Sequence, residues 1–231
     1  MQKKRIIIGI VAGALLPLGL DMFYENHLSA VYLFFWIFAN YLFIVTIWER
    51  LAEYRKIFKL DGLKINKLTY VLNIIYYFAF VIFLNVYFSY EMYLVDNAIL
   101  AKFANSYILI AVFFLFLVNL YYGKFPEKEE KNTTIYSMPL KGHFRNGKDS
   151  FGTVVGSYNE GLVLGTFYFP FDSMKSISIN KQDEVAIRGK DSEGNYIVNI
   201  GARNSAVAAM KVLTEAEKEG KLKENTINIK L

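Results

Sequence analysis

Four long apolar runs fill the first half of the 231-residue chain and constrain its fold more than any other feature. They cover about residues 6–24, 28–48, 68–90 and 98–122. Each is close to the ~20 residues with which a helix crosses ~30 Å of hydrocarbon. Hydrophobic residues make up 54% of the chain, against roughly 45–50% in soluble domains. The sequence therefore predicts an α-helical transmembrane bundle of four spans over residues 1–122.

The connection between the second and third runs, residues 49–67, is rich in Lys and Arg and predicts the orientation of the bundle. Positive charge resists translocation and is attracted to the anionic inner leaflet, so basic loops are cytoplasmic. The connections before the second run and after the third contain acidic residues but no Lys or Arg. We therefore expect a multi-pass protein of the cell membrane with both termini in the cytoplasm.

The same basic connection contains candidate residues for contact with anionic lipid headgroups. They are Arg50, Arg55, Lys56 and Lys59. Leu51, Tyr54 and Phe58 recur nearby at helical spacing. This part of the chain is either an amphipathic helix on the membrane surface or a solvated connector.

The start of the chain is basic over residues 1–5 and leads directly into the first apolar run, as in a signal sequence. No small-x-small cleavage site follows the run. This favours an uncleaved signal anchor over a cleaved signal peptide.

Small and amide side chains within the runs are candidates for contacts between helices. Gly9 and Gly13 form a GxxxG pair, which lets a second helix approach the backbone closely. Five asparagines lie within the spans, namely Asn40, Asn73, Asn85, Asn105 and Asn119. At 1.5 Å per residue, the levels of the third and fourth spans match in two pairs, Asn73 with Asn119 and Asn85 with Asn105. We interpret the amides as interhelical hydrogen bonds rather than a polar path, because mid-depth Asp, Glu, Arg or His is absent.

The composition changes at residue 123, where a charged linker over residues 123–132 leads into a polar, alternating segment over residues 133–231. Strands are predicted at about residues 134–140, 151–158, 162–169, 175–180, 184–189 and 195–201. Asn204 or Ser205 is expected to cap a helix that continues to about Glu219 and ends at Gly220. Its predicted buried stripe is Ala206, Ala209, Met210, Leu213 and Ala216. Residues 226–231 add a strand or a tail, and the whole indicates a cytoplasmic α+β domain.

Residues 152–219 resemble the bacterial pleckstrin-homology-like (PH-like) domains that are attached to membrane helices. The matching features are EGLVL at residues 160–164, FPFDSMKSI at residues 169–177 and the terminal helix. A GRAM-like relative would share them. The resemblance implies an antiparallel half-barrel capped by a C-terminal helix, and binding of lipid or protein without catalysis. It supplies no site that can be transferred residue by residue.

Patterns that would indicate catalysis or a cofactor are absent from the sequence. HExxH, GxSxG and Walker motifs do not occur, and the two histidines, His27 and His143, are predicted on opposite sides of the membrane. The absence of cysteine excludes disulfides and thiolate sites. A net charge of +5 without a dense basic face argues against nucleic acid. The residues Lys175, Lys181, Arg188 and Lys190 form either a basic rim for lipid headgroups or scattered surface charges.

Three classes of function therefore remain. We expect a non-enzymatic integral membrane protein whose cytoplasmic domain binds a protein partner or membrane lipid, as a scaffold, an accessory factor or an immunity-type protein of bacteria. The alternative is a transporter or channel subunit that oligomerises through its membrane bundle. A membrane enzyme acting on lipid is the third class, and the missing catalytic motifs argue against it.

Overall fold

The computed structural model describes residues 2–24, 28–123, 127–138, 154–179, 184–223 and 225–229. The chain divides into two compact units. The first contains Met1–Glu53 and Val71–Val118, and the second contains Tyr54–Tyr70 and Asn119–Leu231. The predicted transmembrane domain contained all of residues 1–122, and the predicted C-terminal domain began at residue 133. The division differs from that prediction because most of the connection between the second and third apolar runs packs with the C-terminal part of the chain.

The first unit is built from helices. They are α1 (Gln2–Phe23), α2 (Ala30–Ile57), α3 (Lys67–Tyr93), α4 (Ala98–Phe103) and α5 (Ser106–Gly123). Mean hydropathy reaches 2.2 in α1 and 2.0 in α2 and α3, and these three helices are long and apolar enough to cross a membrane. Large apolar side chains are exposed on all three, including Ile7, Phe34 and Ile82. Exposed apolar surface of this kind is expected of helices that lie in lipid.

Helix α2 continues past the predicted end of its span at residue 48 and ends at Ile57. Its 28 residues measure about 42 Å, more than the ~30 Å of the hydrocarbon core. Arg50 Nη1 contacts Glu53 Oε2 at 2.8 Å across one helical turn, and Tyr54 is buried. In this segment the structure shows a helix that ends at Ile57 and is followed by turns. It is an extension of α2 and not a separate element.

The fourth apolar run forms two helices where one was predicted. The break lies at Ala104 and Asn105. The Asn105 side-chain oxygen accepts a hydrogen bond of 2.8 Å from the backbone N–H of Tyr107 and so caps the start of α5. Asparagine is favoured at helix N-termini for this reason. The apolar part of α5, Ser106–Leu120, is shorter than α1, α2 and α3.

The second unit contains two sheets and one long helix. Its strands are β1 (Glu127–Glu130), β2 (Thr133–Met138), β3 (Val155–Tyr158), β4 (Gly161–Leu164), β5 (Phe167–Pro170), β6 (Met174–Ile179), β7 (Val185–Lys190), β8 (Asn195–Ile200) and β9 (Ile227–Ile229). One sheet has the order β1-β2-β8-β7-β6-β9, with β2/β8 and β6/β9 parallel and the other pairs antiparallel. The other is the antiparallel meander β3-β4-β5.

Two stretches differ from the predicted strand pattern because of tight turns. The predicted strand over residues 162–169 is divided into β4 and β5 by a turn at Gly165, whose φ of 59° favours glycine. In the predicted linker, β1 and β2 are joined by Lys131 and Asn132, with φ of 46° and 61°. Two successive positive φ values are typical of a type I′ hairpin. The charges of β1 protect the edge of the sheet from pairing with other chains.

Helix α6 (Arg203–Lys218) packs on both sheets through β3, β4 and β8. It begins before the predicted cap, with Ala202 as N-cap and no side-chain cap, while Asn204 and Ser205 lie inside the helix. Its buried residues are Ser205, Ala206, Ala209, Leu213 and Ala216. Gly220, with φ of 69°, follows its end. Helix and strands enclose a core that includes Leu162, Ile177, Ile187, Val198 and Ile200.

Candidate functional site

The connection between α2 and α3 is bound to the β3–β4 hairpin by backbone hydrogen bonds, and we name this the loop–hairpin contact. Lys64 and Ser157 form an antiparallel bridge, with N–H···O distances of 2.7 Å from Lys64 and 3.1 Å from Ser157. The N–H of Asn159 donates to the carbonyl oxygen of Asp61 at 2.9 Å. The connection therefore occupies the edge of β3 that β4 leaves open.

Glycines allow the close approach of the two segments. A Cβ on Gly156 would clash with the Lys64 carbonyl oxygen and the Ile65 side chain. A Cβ on Gly62 would overlap the Asn159 side chain, and its φ of 67° favours glycine in any case. At both positions an added Cβ would lie closer to its neighbours than van der Waals contact allows. Residues larger than glycine would therefore push the connection away from the hairpin.

Tyr70 strengthens the same contact from the start of α3. Its hydroxyl donates a buried hydrogen bond of 2.6 Å to the carbonyl oxygen of Gly165, in the turn between β4 and β5. Its ring packs edge-on against Tyr54 at 4.8 Å and Phe58 at 5.4 Å between centroids. Residues from the end of α2, the connection and the start of α3 thus all take part.

A polar cavity of about 50 Å³ lies beside this contact, and its lining includes Lys64, Asn159, Glu215, Glu219 and Lys221. The ammonium of Lys221 lies 2.7 Å from the Glu219 carboxylate and holds the pKa of that carboxyl below its usual range. The volume is enough for water but not for an organic substrate. Clusters of His, Asp or Glu that could hold a metal do not occur among the described residues. The interactions that define this site are backbone hydrogen bonds.

A network of amide hydrogen bonds joins α1, α2 and α3 in the first unit. Asn40 and Asn85 exchange hydrogen bonds of 2.9 and 2.8 Å through their side-chain amides. The second N–H of Asn40 donates to the Gly13 carbonyl at 3.2 Å, and that of Asn85 donates to the Val81 carbonyl at 2.8 Å. The Trp36 indole also donates to Asn85, at 3.0 Å. Both amide groups therefore donate all of their N–H groups to protein partners.

The remaining candidate residues for helix packing occupy different environments. Gly9 and Gly13 face α2, since a Cβ on Gly9 would lie 2.7 Å from Val45 and one on Gly13 would lie 3.0 Å from the backbone of Tyr41. Asn73 and Asn119 are both buried. Asn105 caps α5 and does not serve as the expected partner of Asn85, which is bonded to Asn40.

The predicted basic residues are mostly exposed, and the exposed ones all belong to the second unit. Arg50 is buried and paired with Glu53. Exposed side chains belong to Arg55, Lys56, Lys59, Lys175, Arg188 and Lys190. Of these, Arg188 and Lys190 lie two residues apart on the same face of β7. Lys181 lies outside the described residues, as do His27 and His143.

The loop–hairpin contact was not predicted from the sequence. Asp61-Gly62 is a turn signal that could have indicated an ordered connection. Nothing in the local pattern identifies a hairpin ninety residues away as its partner. Comparisons with family models, with curated proteins and with solved structures give no match for this chain.

Proposed function

We propose that the protein is a non-enzymatic integral membrane protein with four spans and both termini in the cytoplasm, whose C-terminal PH-like domain recruits a protein partner or membrane lipid. Its role would be that of a scaffold, an accessory factor or an immunity-type component of bacteria. The observation that carries the proposal is the loop–hairpin contact. The contact fastens the C-terminal domain to the connection between α2 and α3, so a partner or lipid that this domain recruits would be held beside the membrane helices.

The same contact supports a fourth span. Lys64 precedes α3 and Ser157 follows α5, yet the two residues are hydrogen-bonded and so lie on one side of the membrane. The chain between them must cross the membrane an even number of times. Helix α3 is long and apolar enough for one crossing, and we assign the second crossing to the α4–α5 segment. The basic residues of the connection favour the cytoplasm as that side.

The order of elements supports the PH-like assignment. Strands β3 to β8 follow one another as two antiparallel meanders, and α6 then packs against both sheets. A half-barrel closed by a C-terminal helix has the same order. Strands β2 and β9 also join the larger sheet, by parallel pairing with β8 and β6. The resemblance does not imply these parallel pairs.

A transporter or channel subunit is the second candidate. A crevice of about 510 Å³ in the first unit favours it, because polar side chains of Asn40, Asn85 and Ser89 contribute to an otherwise apolar lining. The amides of Asn40 and Asn85 are already engaged with each other, which favours a structural role. An ion path needs groups that can exchange partners.

Membrane orientation can be tested with single cysteines, since the natural chain has none. We expect Asp96→Cys to react with an impermeant maleimide in intact cells, and Lys59→Cys and Glu129→Cys to react only after permeabilisation. Reaction of Glu129→Cys from outside would contradict four spans.

Partner binding is tested by purifying the intact protein in mild detergent and identifying bound proteins and lipids by mass spectrometry. A stoichiometric protein lost on Arg188→Glu with Lys190→Glu, but retained on Arg55→Glu with Lys56→Glu, would support recruitment by the C-terminal domain. Flux through reconstituted vesicles that Asn85→Leu abolishes would support the transporter instead.

A further inference from the structure

A cleft between α1 and α2 has charged side chains at one end and apolar side chains along the rest. Its volume is about 460 Å³, and Arg5, Tyr41, Val45, Trp48 and Glu49 contribute to its lining. The cleft belongs to the first unit alone, so an inference from it is independent of what the C-terminal domain binds.

The level of the charged residues follows from the packing of the two helices. Gly9 contacts Val45 and Gly13 contacts Tyr41, so α1 and α2 run antiparallel. Arg5 is four residues before Gly9, and Glu49 is four residues after Val45. Each step is about 6 Å along its helix axis. Arg5 and Glu49 therefore lie at the same level, one helical turn beyond the contact between Gly9 and Val45.

We propose that this cleft binds a zwitterionic phospholipid with a primary ammonium headgroup. The Arg5 guanidinium binds the phosphate, for which its planar set of N–H donors is suited. The Glu49 carboxylate accepts hydrogen bonds from the ammonium group. The Trp48 indole has the amphipathic character found at the membrane–water interface. The first part of an acyl chain lies along the apolar wall.

Charge complementarity distinguishes this lipid from other occupants. Among the lining residues that the structure describes, the charged ones are Arg5 and Glu49, and together they match a headgroup that carries one charge of each sign. An anionic glycerol headgroup would bind Arg5 but would leave Glu49 facing its negative charge. A choline headgroup has both charges, but its quaternary nitrogen has no N–H to donate to a carboxylate.

The test measures lipid binding to the delipidated full-length protein by native mass spectrometry. The probes are phosphatidylethanolamine, its N-methyl and N,N-dimethyl derivatives, phosphatidylcholine and phosphatidylglycerol with identical acyl chains. We expect affinity to fall along the methylation series and to be about tenfold lower for choline than for ethanolamine, as for the loss of a charge-assisted hydrogen bond. This series uses the natural chain, so it does not depend on whether a variant folds.

Two variants test whether the preference for ethanolamine lipids arises in the cleft. Glu49→Gln is expected to bring ethanolamine and choline lipids to within about twofold of each other. Glu91→Gln, which removes an exposed carboxylate on α3 outside the cleft, should keep the tenfold difference. Equal binding of both lipids by the natural protein, tighter binding of phosphatidylglycerol, or an unchanged preference in Glu49→Gln would overturn the proposal.

Discussion

The hydroxyl of Tyr70 donates a hydrogen bond of 2.6 Å to the carbonyl oxygen of Gly165, although the two residues are 95 positions apart in the chain. Both residues belong to the second unit. The bond ties the first turn of α3 to the turn between β4 and β5. Together with the Lys64–Ser157 bridge, it makes the connection between two membrane helices a structural part of the C-terminal domain.

Removing this hydrogen bond should loosen the contact without creating a cavity. We expect Tyr70→Phe to cost about 1–2 kcal/mol, because the Gly165 carbonyl is left without its donor. Amide hydrogen exchange at residues 64, 157 and 159 should then be about 5- to 30-fold faster. Tyr168→Phe is the matched control, since Tyr168 is exposed. Equal exchange in both variants would show that the bond contributes little.

The Lys64–Ser157 bridge can be tested by chemical cross-linking. In an antiparallel hydrogen-bonded pair the Cα atoms are about 5.5 Å apart, a separation that a disulfide spans without distortion. We expect Lys64→Cys with Ser157→Cys to form a disulfide under mild oxidation, detected as protection of both thiols from a maleimide. Lys59→Cys with Ser157→Cys should stay reactive. Failure of the first pair to cross-link in the folded protein would contradict the contact.

Much of the C-terminal domain could be predicted from alternation alone. β6, β7 and β8 lie within about one residue of their predicted positions. Buried and more exposed residues alternate along β7 and β8, and in β6 Ile177 and Ile179 alternate with serine. The division of the 162–169 segment could not be predicted in this way, since its residues are apolar on both sides of Gly165. Only the φ of that glycine, which a sequence does not show, identifies the turn.

The pairing of side chains was harder to predict than the elements that carry them. Depth along the helices matched Asn85 with Asn105, but depth does not determine which helices are neighbours. In the structure Asn85 bonds to Asn40 on α2, and Asn105 caps a helix. The loop–hairpin contact was missed for the same reason. It joins distant segments through backbone atoms, which every residue has.

The Asn40–Asn85 pair gives a prediction for the membrane helices. Asn85→Leu removes the acceptor of the Trp36 indole N–H and of one N–H of the Asn40 amide, so we expect a loss of about 0.5–2 kcal/mol, the range for polar contacts between membrane helices. The double variant with Asn40→Leu should cost less than the sum of the single losses. Unfolding in detergent, followed by Trp36 fluorescence in a Trp48→Phe background, measures each value. Strictly additive losses would contradict a direct pair.

Tyr196 makes the stability of the C-terminal domain sensitive to alkaline pH. Burial raises its pKa from 10.0 to about 12, although a hydrogen bond with Ser173 lowers it in part. Between these values the unfolded chain loses the phenolic proton and the folded chain retains it. The contribution of Tyr196 to stability is therefore complete below pH 10 and decreases as the pH rises toward about 12.

The measurement compares the natural protein with Tyr196→Phe, which has no titrating hydroxyl at this position. The difference in their free energies of unfolding should be constant below pH 10 and should shift in favour of the variant from there to about pH 12. Tyr158, whose pKa is also raised to about 12 mainly by burial, is present in both proteins, so its effect cancels. A difference independent of pH would mean that the Tyr196 hydroxyl ionises as readily in the folded protein as in water.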